Sequence, residues 1–380
     1  MRGLLPAACV LLLTVQANPA DPTALKRSVV ADYSTLVYAS YEDAVDQARS
    51  LADCVDGFLA APSEDSLNHA RQAWIEARVP YAQTEAYRFY DGPIDAVEGL
   101  INSWPIDENL IDYVEGEPAA GVINHPDRYP HITADLIASL NEKGGEKNIT
   151  AGFHAIEFLL WGQDLNDDGP GRRSFRDYVD GQAPNAGRRR DYLRAAVHLL
   201  VDDLRIVVKE WAPDQPGNYR ARFLAMPPDE ALTAIVKGVG ILSGSELAGE
   251  RLTVPYETKE QEDEHSCFSD NTHRDLLYDA VGIQNVYLGR YVRANGERIE
   301  GHGLREVLAR VNPALAAKLA DQMEASVAAA RALPPPFDRA IQGVDAAPGR
   351  VAVKKLINAL RAQADTIAEA GVALGLKLNF

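Results

Sequence analysis

Cysteine is scarce in this sequence, three residues in 380. No two cysteines are closely spaced, which excludes a cysteine-caged metal and an iron–sulfur cluster. Positive charge is in the minority too: 38 Lys and Arg stand against 55 Asp and Glu, a formal net charge of −17. Such a surface repels phosphate backbones, and no basic stripe with interleaved aromatics offsets it, so nucleic acid is excluded as a partner. A G-x-S-x-G nucleophile elbow, a Gly-rich phosphate loop and an H-E-x-x-H zinc helix are all missing. Long apolar runs are lacking as well. The first, Leu4 to Val15, follows Arg2 and precedes small residues, the layout of a secretory leader over residues 1–20 and too short to span a bilayer. Cleavage after Ala17 or Ala20 is expected. The mature chain would be exported, periplasmic or outer-membrane associated, and not a transmembrane protein. It would keep Cys54 and Cys267, as one bridge or as two separate thiols.

What is present is helical periodicity. Leu193, Val197, Leu200, Leu204, Val207 and Trp211 form one stripe of a long helix. Leu315, Leu319, Met323 and Val327 form another, and Val353, Leu356, Leu360, Ile367 and Leu374 a third. Sustained strand-like alternation is scarce, and the final LGLKLNF reads as a helix tail. The fold class is all-α, two helical bundles with long irregular connections. The proline-rich stretch between Ala212 and Glu230 places the boundary, giving domains 21–222 and 223–380. Gln83–Gly121 and Val254–His273 are rich in turn residues and poor in helical pattern.

Five segments carry potential chemistry. In the apolar helix around Gly152–Gly162, His154 and Glu157 are the only titratable groups, and they share a face continued by Trp161. A carboxylate buried there needs a cation, a donor network or a metal. Either a satisfied core pair or a metal site answers the pattern. Trp74, Arg78, Tyr81 and Glu85 border the apolar stripe of a second helix, which Ser63 can cap. Glu246 and Glu250 fall one turn apart on a Gly-rich helix, followed by Arg251. The run Glu264–Asp275 packs His265, Ser266, Asp270 and His273 into a loop before a helix. Asp164, Asn166 and Asp168 with Gly169 match the first half of a calcium loop, but Phe175 stands where a bidentate Glu belongs.

The run Gly152-Phe-His154-Ala-Ile-Glu157, G-x-H-x-x-E, resembles the signature of the imelysin-like family (M75 peptidases, the iron-regulated protein A group). Trp74-x-x-x-Arg78-x-x-Tyr81, the Ile101–Pro105 turn and Glu264–His273 are similar to family segments as well. The resemblance implies an exported protein of two helical bundles, tied to bacterial iron uptake, with a site between the bundles. On that basis the expected ligand is an iron ion or iron chelate, zinc or calcium being the other metals considered, and the expected partner an iron-transport component of the cell envelope. The expected ligands are His154 and Glu157, with Glu246, Asp270 or His273 from the second bundle. Arg78 and Glu85 would fix Glu157, with Trp74, Trp161 and Ser266 around the site. A secreted metallopeptidase using the same pair, and an interaction protein without metal, are the alternative readings.

Overall fold

The computed structural model describes residues 22–166 and 169–378. The leader and Asp168 lie outside the described residues. Helices α1 (Pro22–Ala60) and α2 (Glu64–Thr84) open the chain, followed by short α3 (Glu98–Ile101) and α4 (Ala134–Leu140) within a long irregular stretch. Then come α5 (Gly152–Trp161), α6 (Ala186–Trp211) and short α7 (Tyr219–Ala225). Helix α8 (Pro228–Ile241) passes into a π-helical segment, Leu242–Thr253, and on into α9 (Val254–Thr258). The C-terminal part holds α10 (Thr272–Leu288), a hairpin of β1 (Arg290–Val292) and β2 (Arg298–Glu300), α11 (Leu304–Val311), α12 (Pro313–Arg331), α13 (Phe337–Ala340) and α14 (Pro348–Ala373).

Helix α1 packs along α2 and α6, and α5 lies against α2 and α6. In the second bundle α10 packs on α12, while α14 packs on α12 and the π-segment. The six-residue stripe Leu193–Trp211 is buried throughout, as are Leu319, Met323, Val327 and the α14 stripe. Ser63 caps α2 as its sequence predicts: its Oγ accepts the Ser66 N–H at 3.2 Å, and Ser66 Oγ accepts the Ser63 N–H at 3.0 Å.

One buried core runs through both bundles, from Val29 to Leu376. Two boundaries differ from the sequence reading. Helical backbone persists to Thr258, into a segment read as irregular, because the apolar run from α8 continues. At the other end α14 stops at Ala373, and Gly375 turns the chain with φ of 73°, so residues 376–378 are not helical. The continuous helix Pro228–Thr258 is long and apolar enough to cross a membrane by length and composition, and 61% of its most apolar window is buried inside the protein, as in a core helix.

The bundles meet where α10 crosses the end of α2. Gly282 makes that crossing possible, since a Cβ there would lie 2.4 Å from the Gln83 carbonyl oxygen. Asn285 Nδ2 then reaches Gln83 Oε1 at 3.0 Å. A second glycine seats α5. Gly152 has φ of 81°, and a Cβ on it would fall 2.4 Å from the Ile101 carbonyl oxygen.

Candidate functional site

Every residue of α5 is buried. Phe153, Ile156, Phe158, Leu159 and Leu160 contribute about 1.5–3 kcal/mol each on leaving water, which offsets the cost of taking two polar side chains inside with them. Three residues apart, those two meet: His154 Nδ1 lies 2.8 Å from Glu157 Oε2, both fully buried. The other Glu157 oxygen accepts from the Ser269 N–H at 2.9 Å and the Ser269 hydroxyl at 2.7 Å. Burial pushes the Glu157 carboxyl up to about 8 and the His154 imidazole well below its usual value. The pair is therefore uncharged at neutral pH. His154 Nε2 has no hydrogen-bond partner. Its ring packs edge to face on His265, centroids 4.6 Å apart.

The residues expected to fix Glu157 have other partners. Arg78 Nε donates to Asp275 Oδ1 at 3.0 Å and its Nη1 to Asn102 Oδ1 at 2.5 Å. Asp275 also accepts from Asn271 Nδ2 at 3.0 Å and from Ser266 Oγ at 2.5 Å. Although burial alone would raise Asp275, Arg78 and His265 hold it far below the carboxylate range. His265 Nδ1 lies 3.4 Å from Asp275 Oδ2, and burial keeps His265 neutral, lowered to about 4. Trp74 lies under the Arg78 guanidinium at 5.7 Å and donates from Nε1 to the Phe153 carbonyl at 2.9 Å. Trp161 turns toward Trp74, centroids 5.4 Å apart, and lines a hollow with Tyr113 and Arg173 on another face.

Glu85 belongs to a second network. Its Oε2 accepts from Arg88 at 2.7 Å and Arg251 at 2.6 Å, and against burial these two cations hold it at about 2. Arg251 also meets Asp279 at 3.0 Å and Glu246 at 2.8 Å. The π-helical backbone explains the last contact, because i and i+5 positions become neighbours where hydrogen bonds run i→i+5. Arg251 is thus buried in the centre of the network, not at the polar end of a helix.

Between these parts lies a polar cavity of about 260 Å³. Its walls are Glu98, Asn102 and Trp104 from the first bundle, Glu246, Glu250 and Arg251 from the π-segment, with Arg88 and His265. Burial raises Glu98 to about 7, with Arg88 pulling the other way. The cavity offers carboxylate oxygens and a neutral imidazole, the donor mix that suits iron, beside two guanidinium groups.

The expected ligand set does not assemble in one place. Glu246 lines the cavity, and His154 with Glu157 stands behind His265. Asp270, by contrast, sits with Glu264 and Asp338, their ligand atoms within 4.8 Å of one another. His273 bonds through Nδ1 to the Asp270 carbonyl at 3.0 Å. Asp164 accepts from the Asn166 backbone N–H at 3.0 Å, from Asn166 Nδ2 at 3.1 Å and from Gln261. Cys54 and Cys267 are both free, Cys54 on α1 and Cys267 buried in the loop that packs on α5, so the possible bridge is not made. His265, Ser269, Asp275, Asp279, Glu98 and Asn102 are the site residues that periodicity did not single out. His265 and Ser269 stood in a segment already marked by its density of polar groups.

Residues 37–367 match the imelysin family, peptidase M75. Iron-regulated protein A of Synechococcus elongatus is 27% identical over 341 residues, covering 87% of this chain and 82% of that protein. A crystal structure of an iron-regulated protein A precursor from Parabacteroides distasonis superposes with a TM-score of 0.72 at 19% identity, covering 95% of this chain and 97% of that one. An imelysin-like protein from Psychrobacter arcticum gives 0.64 at 15% identity, covering 94% and 98%. These likenesses establish the all-α fold, and with the match over residues 37–367 they place the chain in the imelysin family.

Proposed function

We propose that this chain is an exported, iron-associated binding protein of the cell envelope, which takes iron as a small anionic chelate in the cavity between the two bundles. The observation that carries the reading is the wall composition: Glu98, Glu246 and Glu250 face neutral His265 across a cavity that also presents Arg88 and Arg251. Among the described residues no three protein ligands there converge closely enough to hold a bare ion. An iron already carrying carboxylate ligands needs fewer, and its charge suits the two guanidinium groups. His154 and Glu157 would support His265 from behind. The name of the Synechococcus relative, an iron-regulated protein, is consistent with this. Burial of both His154 and Glu157 speaks against peptide cleavage by that pair, because a scissile bond must reach its catalytic groups.

Ferric citrate titrated into the purified mature protein is the test, followed by calorimetry and by iron analysis after desalting. Near-stoichiometric iron, reduced at least about tenfold in affinity by Glu246→Gln or His265→Ala, is expected. Iron carried equally by wild type and both variants, or by none of them, would overturn the proposal.

A further inference from the structure

On the side of the 264–271 loop turned away from the cavity, Glu264, Asp270 and Asp338 bring their carboxylates together. One oxygen of each lies within 4.8 Å of the others. Acidic clusters of this kind are common, and most are solvated surface. This one differs in Glu264, which is 0% exposed, and neither of its carboxylate oxygens accepts a hydrogen bond of ordinary geometry. Asp270 Oδ1 is buried without a partner too. Burial raises Glu264 well above the usual range, Asp338 adds to the rise, and the nearby Thr272 hydroxyl offsets only part of it. Burial together with Asp164 and Asp338 raises Asp270 to about 7. Arg339, half exposed, approaches Asp338 at 4.0 Å and pulls Asp270 the other way.

A buried carboxylate without donors costs several kcal/mol unless it is protonated or meets a cation. Three carboxylates from two chain segments, with no nitrogen or sulfur among them, are the ligand chemistry of a hard divalent ion. We propose that Glu264, Asp270 and Asp338 form a second cation site, distinct from the cavity, which takes a hard divalent ion of the calcium class. The ion joins the 264–271 loop to α13, on which Asp338 sits. Asp270 follows directly on Ser269, whose N–H and hydroxyl hold Glu157. The cation is therefore a structural clamp that fixes the loop against α5. The inference stands on the carboxylate geometry and does not depend on the iron reading.

The test is thermal unfolding and calorimetry of the metal-stripped full-length mature protein with added calcium chloride, magnesium chloride serving as comparison. One calcium per chain is expected, with a rise in Tm of roughly 5 °C at a hundredfold excess over Kd. Glu264→Gln abolishes the rise, and Asp338→Asn weakens calcium binding at least about tenfold. Asp338→Asn keeps the test decisive should Glu264→Gln fail to fold, since Asp338 lies nearer the surface. No rise in wild type at about 10 mM calcium, beyond even weak extracellular sites, would overturn the proposal. So would an equal rise in the Glu264 and Asp338 variants. Because ferric citrate binding is read separately, either site can fail without the other.

Discussion

Asp112 and Glu264 are both fully buried carboxylates, and the protein treats them in opposite ways. Asp112 Oδ2 accepts from Arg173 and from Arg189 Nε, each at 2.6 Å, while Oδ1 accepts from Arg189 Nη2 at 2.9 Å and Asn124 Nδ2 at 3.2 Å. Against burial, those cations hold it at about 2. Glu264 has no such donor, and acids surround it. The first carboxylate is a finished internal lock between the 111–124 segment and α6. The second has the same desolvation without the protein groups that would repay it, which is the pattern of a residue kept for something the chain itself does not supply. Burial alone thus says little about role, and the donor inventory around the buried group says much more.

The strongest challenge to this contrast is Asp112→Ala, which would leave Arg173 and Arg189 buried without their counter-charge. A loss of about 3–5 kcal/mol in urea unfolding is expected. A loss below about 1 kcal/mol would mean that Asp112 is not a lock. Acid titration comes next. The folded pKa of Asp112 lies below its unfolded value, so its stabilisation is complete above about pH 4 and is lost as pH falls toward 2. Unfolding midpoints followed from pH 5 to pH 2.5 should show about 2 kcal/mol of this dependence in wild type and none of that share in Asp112→Asn. Parallel curves for the two proteins would erase the distinction. The smallest effect is expected at the other carboxylate: Glu264→Gln, measured in chelator at pH 7, should unfold within about 1 kcal/mol of wild type, because no donor is orphaned. A loss above about 2 kcal/mol would show Glu264 to be bonded as firmly as Asp112.

Much of the fold was legible because amphipathic spacing is a local property. The stripe from Leu193 to Trp211, the Ser63 cap and the burial of the Gly152–Trp161 helix all follow from neighbours a few residues apart. The His154–Glu157 contact was legible for the same reason. Partners of the buried arginines were not. Arg78 meets Asp275 across 197 positions and Arg251 meets Glu85 across 166, separations on which periodicity is silent. The Glu246–Arg251 contact was hidden by an assumed α-helical register, since only i→i+5 backbone bonding brings those side chains together. That His265 rather than His273 lines the cavity is decided at the level of a loop. Which of two nearby histidines turns inward depends on backbone angles such as the φ of 59° at Asp270, and composition does not set these.

The tight seat of Gly152 on the 100–101 backbone has a practical consequence for finding related chains in genomes. An H-x-x-E string alone occurs constantly by chance, whereas the glycine two places before the histidine is demanded by a backbone contact that no side chain tolerates. Candidates retaining the histidine and glutamate but carrying any other residue at that place would be decoys, unable to dock the buried helix in this pose. The least chemical letter of the signature is its best filter.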